Sequence, residues 1–102
     1  MELEWLENLP PLITIETANK SWQVWLMLKE NVDLPAPSAA TGPDGIMFYS
    51  WDKGEHHFEV EIFPDDSTEF FYRNRMTGEI CGDTKLTDQL LRKLTFFSIN
   101  GV

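Results

Sequence analysis

The sequence predicts an α+β fold: an N-terminal helix, a three- to four-stranded antiparallel β-meander, and a C-terminal helix packed on one sheet face. Three observations predict it. A broadly apolar segment precedes the middle of the chain, three alternating apolar segments follow through short turns, and an amphipathic segment with an N-cap comes near the end. The 102 residues have the length of one domain, which we expect to span residues 1–102.

The first helix is predicted at residues 18–31, after an N-terminal arm of residues 1–16 whose short helical turn stops at a Pro-Pro pair. A helix here presents Trp22 and Trp25 on one side, and further apolar residues adjoin them. So wide an apolar arc indicates a helix that is buried on more than one side. The alternative is a hairpin in which "ITIET" and "WQVWLML" flank the turn "ANKS", because periodicity alone does not exclude it.

The middle of the chain is predicted to form the meander. Residues 32–45 are rich in proline and small residues, which favours an extended connection without a strand. Three strands follow at residues 46–51, 56–63 and 68–75, because apolar residues alternate in each and the turns "DKG" and "PDDS" separate them. A short fourth strand at residues 79–81 is predicted at the edge of the sheet.

The C-terminal helix is predicted from its own residues. Thr87 is a favourable N-cap, and Leu86 before it can pack against Leu91 one turn into the helix. Four apolar side chains then fall on one stripe of the helix: Leu90, Leu91, Leu94 and Phe97.

The strand "HHFEVEIF" separates its two histidines. Successive side chains of a strand point to opposite faces, so His56 and His57 cannot both reach one site from a regular strand. His57 shares its face with Glu59 and Glu61, and this is predicted to be the second, outer face of the sheet. His56 shares the predicted core face with three apolar residues: Phe58, Val60 and Ile62.

The hairpin after this strand is expected to neutralise the glutamates. A three-residue loop "DDS" places Glu59 opposite Arg73 and His57 opposite Arg75 on the following strand. Opposite charges facing each other across strands stabilise a sheet by roughly 0.2–1 kcal/mol for each pair.

The outer face is the candidate partner surface. With a three-residue loop after Trp51, the first strand adds its aromatic and methionine side chains to this face, a composition typical of protein interfaces. The alternative is that the N-terminal segment or helix covers the face and makes it a second core layer. The candidate contact residues are Met47, Tyr49, Trp51, His57, Glu59, Phe71 and Arg73.

A metal centre is the alternative interpretation of the same strand. His57, Glu59 and Glu61 recur with period two, so they can converge three ligands, as catalytic zinc sites require. A facing Arg73 would repel the cation, so we expect no metal and no other cofactor. The chain has no nucleophile elbow, Gly-rich phosphate loop or zinc-protease motif, and we expect no catalytic residue.

Charge and cysteine content narrow the class of function. The net charge of −9 argues against direct nucleic-acid binding and against anionic membranes, because both need clustered Lys and Arg. The first residues are acidic where a signal peptide is basic, and the single Cys81 cannot form an internal disulfide. These features predict a cytoplasmic protein.

The chain resembles a set of small bacterial proteins of unassigned function. They share an "LP-x-P-S…PDGG" connection, a strand ending in tryptophan, an "LEIEI-x-PDG" hairpin and an "R-x-TGE" turn, which compare with "LPAPSAATGPDG", "FEVEIFPDD" and "RMTGE" here. The likeness covers residues 34–79, and Asp66 replaces the turn glycine of the hairpin. The resemblance implies a shared fold. Because such genes lie beside a second small gene, it also implies an antitoxin-like or accessory role.

The function expected from these observations is a small acidic cytoplasmic module that binds another protein and has no catalytic activity. It would be the antitoxin-like or accessory member of a two-gene system, with its partner encoded by the neighbouring gene. Two alternatives stay open: a metal-dependent enzyme that uses the His-x-Glu-x-Glu strand, and a structural protein that forms a homodimer.

Overall fold

Helix α1, Ile15–Asn31, has a side-chain cap before its first residue, and after its last residue the Val32 backbone N–H donates to the Leu28 carbonyl at 3.0 Å. The computed structural model describes residues 14–99. Thr14 is the N-cap, and its Oγ1 accepts a hydrogen bond from the Thr17 backbone N–H at 3.1 Å. The predicted helix is confirmed and starts three residues earlier than expected, so the hairpin alternative is wrong. The predicted turn before the Pro-Pro pair lies outside the described residues.

The sheet has five antiparallel strands in sequential order, where three or four were predicted. The additional strand, β1, forms inside the segment 32–45 that the sequence suggested as an extended connection. Its four small or weakly polar residues, "SAAT", have no alternation of apolar and polar side chains, so only pairing with the next strand reveals it. The strands are β1 (Ser38–Thr41), β2 (Met47–Lys53), β3 (His56–Ile62), β4 (Thr68–Asn74) and β5 (Ile80–Asp83).

Helix α2, Asp88–Leu94, confirms the prediction for the C-terminal helix. The Thr87 Oγ1 accepts a hydrogen bond from the Leu90 backbone N–H at 3.2 Å, and a 3₁₀ turn at Thr95–Phe97 continues the chain. Leu90, Leu94 and Phe97 are buried, and Leu91 is half-buried. Neither helix within residues 14–99 is long and apolar enough to cross a membrane.

Both helices pack on one face of the sheet, which we call the core face. The apolar side chains of α1 and α2 meet the inward side chains of β2, β3 and β4 in a single cluster. Burial of each such side chain stabilises the fold by about 1.5–3 kcal/mol. The fully buried large side chains of this cluster are Trp25, Leu28, Leu34, Met47, Tyr49, Phe58, Val60, Ile62, Tyr72, Leu90 and Leu94.

Two side chains of β2 attach other elements to the sheet. The Tyr49 hydroxyl donates to the Ser21 carbonyl of α1 at 2.7 Å, and burial raises the pKa of Tyr49 above its usual range. The Trp51 indole Nε1 donates to the Pro35 carbonyl at 2.9 Å, and its ring stacks on Trp25 with centroids 6.3 Å apart. The segment before β1 and helix α1 are thus held against the same strand.

A two-residue turn, Gly54–Glu55, joins β2 to β3 in place of the predicted three-residue loop "DKG". Lys53 pairs with His56, and Gly54 takes the first turn position with φ +59°, as in the type II′ turns that favour glycine there. Because of this change in loop length, the side chains of β2 that were predicted for the outer face point to the core face.

The prediction that put Met47, Tyr49 and Trp51 on the outer face is therefore wrong. The register pairs Trp51 with Phe58 and Tyr49 with Val60, so these side chains lie in the core. Side chains alternate along a strand, and an odd shift in register exchanges its two faces.

The β3–β4 register differs from the prediction by two residues. The loop is "PDD", closed by a hydrogen bond from the Phe63 N–H to the Ser67 carbonyl at 2.9 Å, with Asp66 at φ +76°. An even shift keeps each side chain on its predicted face but changes its neighbour. Glu59 consequently lies opposite Phe71 and His57 opposite Arg73, so the predicted Glu59–Arg73 and His57–Arg75 pairs are wrong.

We expect Gly54→Ala to lower the free energy of unfolding by about 1–2 kcal/mol, because an L-residue pays that cost for positive φ. A Cβ at this position has open space around it, so backbone strain is the only new cost. Urea denaturation measures the change. Gly82→Ala is the control, since its Cβ makes only ordinary contacts, the nearest at 3.5 Å. Equal effects of the two substitutions would contradict the turn assignment.

We expect Trp51→Phe to destabilise the protein more than Trp25→Phe, by about 1 kcal/mol. Both indoles are buried, but Trp51 Nε1 is hydrogen-bonded and Trp25 Nε1 has no partner within the described part of the chain. Removing the unsatisfied donor of Trp25 offsets part of the lost packing, whereas the other change also leaves the Pro35 carbonyl without its donor. Equal losses in chemical denaturation would contradict this account.

Candidate functional site

The outer face of the sheet, opposite the two helices, is the candidate site. Within residues 14–99 no helix lies on it, and its side chains alternate with the core residues along each strand. It combines half-buried aromatic rings with charged side chains, of which Asp52, Glu69 and Arg73 are exposed and Glu59 and Glu61 are half-buried. Its central residues are Phe48, Ser50 and Asp52 of β2, His57, Glu59 and Glu61 of β3, and Glu69, Phe71 and Arg73 of β4.

Four of the seven predicted contact residues come together here. His57, Glu59, Phe71 and Arg73 occupy adjoining positions of β3 and β4. The other three, from β2, lie in the core as described above. That these four residues contact a partner stays a prediction. The other residues of the outer face are not the ones that the sequence predicted.

A charged network occupies one end of the outer face. Asp52 accepts hydrogen bonds from the Arg75 guanidinium and from His57 Nδ1, the latter at 2.9 Å. The bond from Arg75, followed by that from His57, holds the pKa of Asp52 below its usual value. His57 Nε2 also lies 3.5 Å from a Glu59 carboxylate oxygen. The acids at this end therefore have basic neighbours.

The middle of the outer face has an excess of negative charge. Glu61 lies directly opposite Glu69, and Glu59 is the next residue of β3 on the same face. Within residues 14–99, neither Glu61 nor Glu69 forms an ion pair with a Lys, Arg or His side chain. Partial burial raises the pKa of Glu61, and a hydrogen bond with Glu59 and the nearby charges raise it further. Like charges placed opposite each other destabilise the sheet.

Two depressions on the outer face meet at Glu59. One, of about 470 Å³, lies over β3–β5, where Gly82 leaves one side of the Phe71 ring uncovered and the three glutamates form the wall. The other, of about 350 Å³, runs from β1 across β2, and we call it the trough. The trough is lined by Ser38, Ala39, Ala40, Thr41, Phe48, Ser50 and Glu59.

Phe48 closes one end of the trough. Its ring packs over Gly42, where an added Cβ would lie 2.3 Å from Phe48 Cε2. Real Cβ atoms do not approach so closely, so a larger residue at 42 would displace the ring. The absence of a side chain at Gly42 thus sets the position of Phe48 beside β1.

The described residues do not assemble a metal centre. His57, Glu59 and Glu61 do share one face of β3, but among residues 14–99 no group of three or more His, Cys, Asp and Glu side chains is arranged to hold a metal ion. His57 lies between Asp52 and Glu59, with its two ring nitrogens directed to these carboxylates.

His56 lies at the border of the core face, as predicted. Its Nδ1 is 2.7 Å from the Tyr72 hydroxyl, and its ring stacks on Phe96 with centroids 4.2 Å apart. Burial raises the pKa of Tyr72. These contacts link β3 and β4 to the 3₁₀ turn after α2, so His56 acts in packing.

The prediction missed Phe48, Glu69 and the trough. The alternation Phe48, Ser50, Asp52 is present in the sequence, and the correct turn at Gly54 would have assigned it to the outer face. The trough depends on β1, whose residues give no strand signal of their own. No protein-family model, curated protein or solved structure matches this chain.

We expect Glu61→Gln to raise the free energy of unfolding at pH 7. The pKa of Glu61 is raised in the folded state, so ionisation above that pKa favours the unfolded chain. The gain from glutamine therefore shrinks as the pH falls through the folded-state pKa, and it is lost below the unfolded-state pKa of about 4.3. Thermal unfolding of the wild type and the variant measures the gain at pH 7 and at pH 3.5, which lie above and below the unfolded-state pKa of about 4.3.

Glu30→Gln is the control for this prediction. It removes the same charge from an exposed position on α1, away from the glutamates of the outer face. An equal, equally pH-dependent gain in the control would show that net charge, rather than the juxtaposition of Glu61 with Glu69, determines the effect.

Proposed function

We propose that this protein is a small acidic interaction module whose outer sheet face binds a basic segment of a protein partner. The observation that carries the proposal is the juxtaposition of Glu59, Glu61 and Glu69, none of which forms an ion pair with a Lys or Arg side chain in the described part of the chain. Their mutual repulsion weakens the isolated protein, and positive side chains of a partner would relieve it. The net charge of −9 would also attract a basic partner over a distance.

Aromatic rings beside these carboxylates support the same chemistry. Phe71 pairs with Glu59 and Phe48 pairs with Glu61 across adjacent strands. A guanidinium or ammonium group that contacts the face of a ring while it bonds a carboxylate gains about 0.5–2 kcal/mol from the ring. The depression beside Phe71 and Gly82 has the space for such a side chain.

The biological setting that we propose is a two-gene system in the bacterial cytoplasm, with this protein as its antitoxin-like or accessory member. The resemblance of residues 34–79 to small bacterial proteins whose genes adjoin a second small gene supports it. The partner is then the product of the neighbouring gene, and neither catalysis nor a cofactor is part of the proposed role.

The test is co-expression and co-purification with the product of the neighbouring gene. We expect Glu61→Gln/Glu69→Gln to weaken the complex at least about tenfold, since a tenfold loss corresponds to about 1.4 kcal/mol, the order of one lost charge pair. Isothermal titration calorimetry at two salt concentrations measures the affinity and its salt dependence.

Glu30→Lys is the matched control, because it changes the net charge by the same two units at an exposed position of α1. Its complex should keep the affinity of the wild-type complex within about twofold. An equal loss in the control, or the absence of any complex, would contradict the proposal. Light scattering of the isolated protein distinguishes the proposed function from the homodimer alternative. The mass of a dimer, measured without any partner, would establish the homodimer.

A further inference from the structure

The open edge of β1 offers backbone hydrogen bonds. Gly42 N–H bonds to the Ile46 carbonyl at 2.8 Å, so the β1–β2 register makes Ala40 and Ser38 the next residues that bond β2. The N–H and C=O groups of the alternate residues, Ala39 and Thr41, therefore point away from the sheet. Within residues 14–99 no backbone or side-chain partner bonds them.

Apart from its short length of four residues, this edge lacks the features that usually prevent strand addition. Protected edges carry charged side chains, proline or a bulge, whereas "SAAT" has none of them, and its register with β2 is continuous. The side chains of Ser38, Ala39 and Ala40 are small and exposed, so a second backbone can approach closely. At the opposite edge, β5 ends at the acidic Asp83 and presents the exposed Ile80.

We infer that the basic segment of the partner binds as an added β-strand along β1, with its long side chains in the trough; this inference rests on the proposed function. Strand addition satisfies the outward groups of Ala39 and Thr41. Alternate side chains of the added strand then project over the outer face, where the small side chains of Ser38 and Ser50 leave a path toward Glu59. A lysine or arginine in that path would direct its charge at this carboxylate.

Electrostatic attraction favours a basic strand from another protein over a second copy of this chain and over residues 1–13. A second copy of this chain would bring together two molecules that each carry a net charge of −9. Residues 1–13 of the chain itself contain three glutamates and no Lys or Arg, so they would add negative charge beside Glu59. A basic segment alone combines the backbone bonds with electrostatic attraction.

The probe is a fluorescently labelled synthetic peptide of eight alternating lysine and valine residues, with binding followed by fluorescence anisotropy. A second peptide has the same sequence with N-methyl groups on alternate residues, which keeps its charge but prevents pairing along one edge. We expect the protein to bind the first peptide at least about tenfold more tightly than the second, since the second loses several backbone hydrogen bonds.

Ala39→Pro removes the outward N–H and leaves the hydrogen bonds to β2 in place. Edge strands tolerate proline at such positions. It should weaken binding at least about tenfold, whereas Ala39→Val, of similar size with its N–H retained, should bind as wild type does. Hydrogen exchange of the wild-type protein supplies a readout that does not depend on the proline variant folding. The peptide should slow exchange at Ala39 and Thr41, while Ser38 and Ala40 are already bonded to β2.

The outcomes separate this inference from the proposed function. Equal binding of both peptides, unchanged binding by Ala39→Pro, or unchanged exchange at Ala39 and Thr41 would overturn strand addition. If Glu61→Gln/Glu69→Gln still weakened the partner complex, the proposed function would stand without it. Failure of the wild-type protein to bind the lysine-valine peptide would overturn strand addition. Self-association abolished by Ala39→Pro would assign the edge to a second copy.

Discussion

The two-residue turn at Gly54–Glu55 decides which side chains of β2 enter the core, and the rest of the structure depends on that choice. With Lys53 paired to His56, the inward residues are Met47, Tyr49 and Trp51. An odd change in loop length would bury Asp52 and Ser50 instead, and an unpaired buried carboxylate costs far more than the turn can supply. Glycine at the left-handed position makes the short turn available at little backbone cost.

This orientation of β2 lets one strand hold three parts of the chain together. Tyr49 bonds the backbone of α1, and Trp51 bonds Pro35 in the segment that leads to β1 while it stacks on Trp25. The segment 32–45 is thereby aligned along β2, where β1 can form despite the weak strand tendency of its residues. Hydrogen bonding to an existing edge, rather than local preference, makes it a strand.

The same alternation concentrates charge on the outer face. Once both helices cover one face, the glutamates of β3 and β4 must lie on the other, and the β3–β4 register brings Glu61 opposite Glu69. The chain keeps this repulsion although Arg73 and Arg75 belong to the same hairpin, because the register gives those arginines to the His57 end. A register shifted by two residues would place Glu59 opposite Arg73, so charge pairing between the two strands does not determine the register that forms.

The residue pattern by itself determined the type and order of β2–β4 and α2, the N-cap at Thr87 and the division between His56 and His57, and it favoured a helix over a hairpin for α1. These features depend on periodicity and capping, which are local. Tertiary structure decided the two hairpin registers, strand β1 and the neighbours of each glutamate. A three-residue and a two-residue loop fit "DKGE" equally well in sequence, and only the packing of Tyr49 and Trp51 against α1 distinguishes them. Register is a long-range property, because it follows from which face the helices can bury.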